Sequence, residues 1–214
     1  MKLLVCVSKT PETTTKIKFN ADNTALDPNG VQYIMNPYDE WYALVRAIEL
    51  KEQLGGSVTI INVGPATNDS TLRKGLAIGA DEAVRINSEP QSALYVAKQI
   101  ANYAEGNGFD AVLLGKETID YNGSSVGAMV AEYLGLPFIS YASTMTVENA
   151  EVALIERDIE GGVETVEVPF PIVLSAAKGL AEQRIPNMRG IMMAKRKPLK
   201  VEEPIAFEDA VVAV

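Results

Sequence analysis

The sequence DAVLLGKETIDYNGSSVGAMVAEYLGL, residues 110–136, combines a strand, a polar loop and the start of a helix. The apolar run at 111–114 is too short for a helix and is followed by Gly115, as is typical of a buried parallel strand. Farther along, apolar residues recur with the spacing of an amphipathic helix: Val126, Met129, Val130, Tyr133 and Leu134. We therefore predict a strand–loop–helix unit whose helix begins near Ser124 and Ser125.

The loop of this unit has the features of an anion-binding site. It is rich in Gly, Ser and Asn, and it connects the carboxyl end of a parallel strand to a helix N-terminus. Unpaired main-chain N–H groups and the positive end of the helix dipole attract an anion at such a position. We predict that a phosphate binds the N–H groups of residues 122–125. The alternative is that Ser124 only caps the helix and that Gly123 only turns the chain.

Strands and helices alternate along most of the preceding sequence. Short apolar runs predict strands at residues 3–7, 57–64 and 83–86, and apolar periodicity predicts helices that end near residues 54, 79 and 107. In the first helix we predict Asn36 as the N-cap residue and Pro37 as the first helical residue. The alternation predicts an α/β fold, a Rossmann-like parallel sheet flanked by helices with right-handed crossovers.

Other segments depart from this alternation. Residues 16–19 and 31–35 predict a hairpin-like excursion after the first strand. Residues 144–168 predict an antiparallel insertion with a hairpin turn at Gly161 and Gly162, after which residues 171–177 return to the sheet as a buried strand.

The sequence after Ala177 shows no periodic pattern, so we predict an extended, loop-rich C-terminal arm. We divide the chain into an α/β domain, residues 1–177, and an arm, residues 178–214. Residues 178–200 have a formal charge of +6, whereas the rest of the chain has −15. Because the arm lacks interleaved aromatic residues and the body is acidic, we expect a protein partner and no nucleic acid.

The overall composition is that of a soluble chain: of 214 residues, 47% are hydrophobic and 22% are charged. Because the chain has no histidine, it lacks Ser-His-Asp and Cys-His pairs, and self-contained hydrolytic chemistry is not expected. The single cysteine, Cys6, cannot form an intramolecular disulfide. The sequence has no run of 18 apolar residues and no secretory signal, so we expect a cytoplasmic protein without membrane insertion.

Three predicted loops meet at the carboxyl edge of the sheet, where ligands bind in open α/β sheets. They follow residue 7, include residues 63–65 and span residues 115–125. The sequence has neither a G-x-x-x-x-G-K-[ST] loop nor a G-x-G-x-x-G motif after the first strand. The loops therefore predict a nucleotide site of another type.

One more stretch, residues 155–177, reads IERDIEGGVETVEVPFPIVLSAA. It resembles the signature of the electron transfer flavoprotein β subunit family, with a basic residue, an acidic Gly-Gly turn, a glutamate, and then proline and an apolar strand. Further motifs similar to that family are N-P-x-[DE]-E (36–40), V-G-P (63–65), L-R-x-x-L-A-x-G-A-D (72–81), G-K-[QE]-x-I-D (115–120) and A-K-x-K (194–197). The chain is identified as a member of this family.

The resemblance implies that the chain is one half of a heterodimer and has no catalytic residues. In this family the α subunit holds the redox-active FAD, and the β subunit lies beneath it and binds AMP. The heterodimer shuttles electrons between flavin dehydrogenases, such as acyl-CoA dehydrogenases, and a downstream acceptor. In the electron-bifurcating branch the same pocket holds a second FAD instead, and this alternative stays open.

The resemblance also assigns roles by position: residues 1–177 would be the nucleotide-binding α/β domain, and the arm, residues 178–214, would carry a partner-recognition loop and subunit contacts. The AMP contacts would be Cys6, Asn36, Pro37, Tyr38, Asp39, Val63, Leu114, Gly115, Lys116, Glu117, Thr118, Ile119, Asp120, Tyr121, Asn122, Gly123, Ser124 and Ser125. The partner contacts would be Asp158, Met188, Ile191, Lys195, Arg196 and Lys197. Asp158 would reach an arginine of the α subunit, and Met188 would plug into a dehydrogenase pocket; alternatively, Met188 packs inward. The chain departs from many relatives at 120–127, where D-x-D-x-N-Q-T-G is replaced by DYNGSSVG.

Two other classes of protein are alternatives. A universal-stress-protein-like nucleotide-binding module shares a related fold, but its G-x-x-G-x9-G-[ST] loop does not match the spacing at residues 115–127. An ATP-using ligase or hydrolase needs an acid/base set and a metal cage, for which Glu117 and Asp120 are weak candidates. We therefore assign no metal ligands.

Overall fold

The structure is a computed structural model that describes residues 1–90 and 92–207. Within these residues the strands are β1 (Lys2–Cys6), β2 (Lys9–Pro11), β3 (Tyr33–Met35), β4 (Ser57–Gly64), β5 (Glu82–Asn87), β6 (Ala111–Gly115), β7 (Phe138–Asn149), β8 (Val152–Ile159), β9 (Gly162–Pro169), β10 (Ile172–Ala176) and β11 (Leu199–Glu202). The α-helices are α1 (Asp39–Leu54), α2 (Asp69–Ile78), α3 (Ala93–Glu105), α4 (Val126–Leu134) and α5 (Met188–Ala194). A short 3₁₀ helix, Ala66–Asn68, precedes α2.

The main sheet has the strand order β11-β5-β4-β1-β6-β10-β7-β8-β9. Its strands are parallel from β11 to β7 and antiparallel from there to β9. Leu3 and Val5 of β1 pack in the core that includes α1 and α2, whereas Leu4 and Cys6 pack in the core that includes α3 and α4. Because helices cover both faces, the central strands are buried and largely apolar, although β4 carries Thr59 and Asn62 and β10 carries Ser175. The predicted α/β fold class is confirmed.

The antiparallel extension is built around the long strand β7. The first part of β7 pairs in parallel with β10, and its second part pairs antiparallel with β8. The turn between β8 and β9 contains Gly161, whose φ of 85° lies in the left-handed region that favours glycine. The predicted hairpin turn and the return strand β10 are therefore confirmed, although β7 begins at Phe138 and not near residue 144.

Of the two strands predicted for the excursion between β1 and α1, the one at residues 31–35 is confirmed as β3, and the one at residues 16–19 is wrong. Lys9–Pro11 pairs antiparallel with Tyr33–Met35, so the small sheet forms at the two ends of the excursion. Residues 16–19 form no strand and contribute only a single bridge between Phe19 and Leu26. The alternation of lysine with apolar residues there lies on an exposed loop, where Ile17 and Phe19 face solvent.

The predicted start of α1 is also wrong. Tyr38, with φ 65°, is the N-cap residue, and the helix begins at Asp39. The buried side chain of Asn36 donates to Glu117 O at 3.1 Å and accepts from Ile119 N at 3.0 Å. Asn36 therefore connects two loops that are distant in sequence, and this long-range contact replaces the local capping role.

The arm is more regular than predicted. Residues 188–194 form α5, and residues 199–202 form β11, which extends the main sheet beside β5. Arg73 Nη1 donates to Ala194 O and to Lys197 O at 2.7 Å each, so α2 holds the segment between α5 and β11. The division at residue 177 stays a prediction, but the described part of the arm packs on the body through these contacts.

Candidate functional site

A cavity of about 510 Å³ lies at the carboxyl edge of the parallel strands; we call it the edge cavity. The loops that follow β1, β4 and β6 meet around it, as predicted. Its volume falls within the range of about 300–1,000 Å³ that small-molecule sites occupy. The edge cavity is therefore the candidate ligand site.

One end of the edge cavity is apolar. Cys6 and Val63 lie at the ends of β1 and β4, and Val96 and Ile100 lie one turn apart on the face of α3 that lines the cavity. Leu114, at the end of β6, belongs to the same apolar core. Burial raises the pKa of the Cys6 thiol, and the nearby Glu40 carboxyl adds to this shift, so Cys6 is a neutral wall residue. This end suits a planar, weakly polar group such as a nucleobase.

Another part of the wall of the edge cavity is formed by residues 123–125 before α4. Within the described residues, their main-chain N–H groups form no hydrogen bond. Asn122 and Ser124 have positive φ values of 50° and 47°, and these left-handed residues turn the chain just before the helix. Three free donors beside the N-terminus of a helix are the geometry expected for an anion site.

The alternative role of Ser124 as a helix cap is wrong. The N-cap residue of α4 is Ser125, whose side chain makes no capping hydrogen bond. Ser124 Oγ instead donates to Glu117 Oε2 at 3.0 Å, which ties the end of the loop to its beginning. Helix α4 begins at Val126, close to the predicted position.

Charged side chains of both signs line the edge cavity. The basic ones are Lys9 and Lys116, and the acidic side chains beside them are Glu89, Glu117 and Asp120. Lys116 Nζ lies 3.6 Å from Glu117 Oε1, so part of its charge is already compensated. Since these side chains do not form a basic pocket, an anion depends mainly on main-chain donors.

Glu40 is a buried acid at the edge cavity that sequence reasoning did not assign to the site. Its carboxyl is 4% exposed, and Glu40 Oε2 accepts from Ser8 N at 2.6 Å. Burial raises the pKa of Glu40 to about 8, although hydrogen bonds from Ser8 oppose the shift. A Cβ added at Gly115 would lie 2.8 Å from Glu40 Cγ, so the G-K-E-T loop passes directly over this acid. The N-P-x-[DE]-E motif includes Glu40, but we interpreted this motif only as the start of a helix.

Asn62 and Asn68 are two further buried polar residues of the edge cavity that sequence reasoning missed. Asn62 is a polar residue inside the apolar run of β4, which was the available signal. Arg85, from β5, is also buried and donates to Gly64 O at 3.1 Å and to Asp69 Oδ1 at 2.7 Å.

The predicted ligand residues do not all line one cavity. Pro37, Tyr38 and Asp39 line a second cavity of about 360 Å³, together with Ile119 and Asn122. Lys116 and Glu117 border both cavities, and Asn36 is fully buried between the loops and lines neither. The remaining predicted residues line the edge cavity: Cys6, Val63, Leu114, Gly115, Thr118, Asp120, Tyr121, Gly123, Ser124 and Ser125. The structure thus separates Pro37, Tyr38 and Asp39 from residues 123–125. Asn122, whose N–H donates to Thr118 O at 2.9 Å, lines the second cavity and is not a free donor of the predicted phosphate site.

The predicted partner residues of the arm divide into exposed and packed ones. Met188 is 74% exposed, so the alternative that it packs inward is wrong. Ile191, Lys195 and Arg196 are exposed as well. Lys197 instead directs its Nζ to the carbonyls of Leu76 and Ala80 at the end of α2. Its ammonium is therefore committed within this chain, and burial lowers the pKa of Lys197.

Asp158 lies exposed on β8 beside the hairpin turn. Its neighbour Arg157 pairs with Glu164 of β9 at 3.4 Å, and Asp158 makes no ion pair within the described residues. Its carboxylate is therefore available to a cation outside this chain.

The fold and the edge cavity define an α/β protein with a ligand-sized cavity at the carboxyl edge of its sheet. The described parts of the chain contain no group of three or more Cys, His, Asp or Glu side chains that could hold a metal ion. None of the helices in residues 1–90 and 92–207 has the length and apolar character needed to span a membrane.

Residues 24–206 match the family described as electron transfer flavoprotein domain. Electron transfer flavoprotein subunit beta of Bacillus subtilis is 36% identical over 204 residues, covering 94% of this chain and 78% of that protein. The human protein of the same name is 36% identical over 210 residues, covering 95% of this chain and 82% of that protein. The mitochondrial subunit beta of Arabidopsis thaliana is 34% identical over 203 residues, covering 94% and 80%.

The chain belongs to the electron transfer flavoprotein family, so the resemblance predicted from its motifs is confirmed. These relatives are named as beta subunits of an electron carrier. The prediction that the chain is a carrier component and not an enzyme is confirmed by the same comparisons.

Proposed function

We propose that this chain is the β subunit of a heterodimeric electron transfer flavoprotein and that it binds one AMP in the edge cavity. One observation carries the AMP assignment: a cavity of about 510 Å³ is lined both by apolar side chains and by residues 123–125, whose main-chain N–H groups are unpaired. The adenine would lie between Cys6, Val63 and the α3 face, and the phosphate would accept hydrogen bonds from residues 123–125.

The state of Glu40 favours a bound phosphate nearby. Since burial raises the pKa of Glu40 to about 8, this carboxyl is mostly protonated at pH 7 and adds little negative charge to the edge cavity. The exposed acids of the loop, such as Asp120, can turn toward solvent. The edge cavity thus accepts an anion although the chain has a net charge of −9.

The redox-active FAD would be held mainly by an α subunit and would supply the electron-carrying chemistry. The proposed role of this chain is to complete the assembly and to present docking surfaces. Asp158 is free to pair with a cation of the α subunit. The exposed face of α5, with Met188 and Met192, is suited to dock flavin dehydrogenases, because methionine adapts to differently shaped pockets.

The first test is a ligand count on the chain purified with its accompanying subunit. After acid release, AMP and flavin are separated and quantified per heterodimer. We expect one AMP and one FAD. Two FAD without AMP would instead support the electron-bifurcating alternative, and a heterodimer without any nucleotide would contradict the proposal.

A second test addresses the phosphate end of the edge cavity. Hydrogen bonds to charged groups are worth about 1.5–3 kcal/mol each, so adenosine should bind at least about tenfold more weakly than AMP. Ser124→Ala should change AMP affinity little, because its hydroxyl bonds to Glu117 and the proposed donors are main-chain groups. Equal affinities for adenosine and AMP would exclude a phosphate site at residues 123–125.

A further inference from the structure

A chain of buried hydrogen bonds connects three loops of the edge cavity. Asn62 Nδ2 donates to Val7 O at 2.8 Å, and Asn68 Nδ2 donates to Asn62 Oδ1 at 2.9 Å. These bonds tie the loop after β1 to β4 and to the short helix before α2. Both ends of the Asn62 amide are used within the protein, so its rotation is fixed.

Arg85 fixes the same region from the other side. Its Nη1 donates to Gly64 O at 3.1 Å and to Asn87 Oδ1 at 2.8 Å, while its Nε donates to Asp69 Oδ1 at 2.7 Å. The guanidinium is almost fully buried, and its fork of donors is matched by acceptors from β4, β5 and α2.

Gly64 lies between these two groups of contacts. A Cβ at this position would lie 2.1 Å from Asn68 Nδ2 and 2.9 Å from Asn62 Oδ1, so the main chain packs directly on the two amides. Arg85 binds the carbonyl of the same glycine. The Val63–Pro65 wall of the edge cavity therefore cannot shift without breaking buried hydrogen bonds, each of which is costly to leave unmade.

We propose that Asn62, Asn68 and Arg85 are positioning residues that hold residues 63–65 in the conformation that accepts the nucleobase. This inference rests on the proposed function, because it takes the edge cavity as the AMP site with the phosphate at residues 123–125. Without the network, the loop samples other conformations, and the apparent affinity falls with the fraction of molecules that are competent to bind. The network makes no hydrogen bond to residues 123–125 within the described residues, so the phosphate end is unaffected.

The test is Asn68→Ala in the full chain, purified with any subunit that accompanies it. AMP binding is measured by calorimetry and stopped flow, and ribose 5-phosphate is measured by competition. We expect about tenfold weaker AMP binding, mainly through a slower association rate, and unchanged affinity for ribose 5-phosphate. Asn102→Ala, the same substitution at an exposed position of α3, is the matched control and should change neither ligand.

A purely structural role predicts a different pattern, because general loss of stability weakens both ligands together. Equal losses for AMP and ribose 5-phosphate, or unchanged AMP binding, would overturn the inference. If Asn68→Ala does not fold, Arg85→Lys retains the buried charge but loses the forked contacts with Gly64 and Asp69, and the same ligand pattern is expected. A wild-type chain that binds no AMP would overturn the proposed function itself, so the wild-type titration separates the two failures.

Discussion

Replacing Glu40 with glutamine should stabilise the protein in a strongly pH-dependent way. Glu40 is 4% exposed, so a charge on its carboxyl is poorly solvated. Glutamine has nearly the same shape, and its amide oxygen can still accept the hydrogen bond that Ser8 N donates. The substitution therefore removes the ionisation and retains the packing.

The sign follows from the proton that Glu40 binds. Burial raises its pKa from 4.5 to about 8, so between these values the native protein keeps a proton that the unfolded chain releases. Stability from this group is fully present below about pH 4.5 and is lost as the pH rises toward 8. Since each pKa unit corresponds to about 1.4 kcal/mol, the loss at pH 7 is about 3 kcal/mol. Glu40→Gln should recover this amount at pH 7 and almost nothing at pH 4.5.

The assay is urea denaturation of wild type and Glu40→Gln at several pH values from 4.5 to 8.5. The difference in the free energy of unfolding isolates Glu40, because the other titrating groups are common to both proteins. Glu105→Gln, on the exposed side of α3, is the control and should show no such trend. A difference that does not grow with pH, or a variant less stable at pH 8, would refute the assignment of a protonated, buried Glu40.

Three further predictions concern the loop over Glu40 and the arm. Gly115→Ala places a Cβ 2.8 Å from Glu40 Cγ and should lower the free energy of unfolding in urea by about 1–3 kcal/mol, the typical cost of overpacking. Unchanged stability would argue against this close approach. Arg73→Met removes the hydrogen bonds to Ala194 O and Lys197 O and should lower the free energy of unfolding in urea by about 1–3 kcal/mol. The control Arg189→Met, at an exposed position, should not change it. Equal effects of the two substitutions would contradict the anchoring role of Arg73. Met188→Ala should leave the melting temperature unchanged but weaken dehydrogenase docking about thirtyfold, as measured by the rate of flavin reduction. Met193→Ala, on another face of α5, is the control. A normal rate of flavin reduction in Met188→Ala would show that Met188 is not part of the docking surface.

Local patterns were sufficient for the core of the fold. The largely apolar runs of β1, β4, β6 and β10 indicated strands covered on both faces, and the sheet places all four side by side. The strand–loop–helix unit at residues 110–136 was predicted in its order and near its boundaries. Such predictions succeed because each element is stabilised by burying its own apolar residues, and these recur with the period of a strand or a helix.

The arm shows where this approach fails. Helix α5 has seven residues and β11 has four, so neither is long enough to show a period. Strand β11 forms because β5 offers an unpaired edge more than 100 residues earlier in the chain, and Arg73 and Lys197 add contacts of similar sequence separation. A pattern read in a short window does not contain such partners.

The features of the candidate site also fall into two groups, those that local sequence patterns predict and those that depend on long-range contacts. The sequence was sufficient to predict that three loops meet at the carboxyl edge and that residues 122–125 precede a helix, because alternating strands and helices form a parallel sheet and because the helix shows its own apolar period. Three other features depend on the tertiary structure: Asn36 joins two loops instead of capping α1, Glu40 is buried under Gly115, and Arg85 reaches the carbonyl of Gly64. Each of these polar side chains binds a main-chain group outside its own local pattern: Glu117 and Ile119 for Asn36, Ser8 for Glu40, and Gly64 for Arg85. The physical reason is that a buried polar group needs a hydrogen-bond partner, wherever in the chain that partner lies.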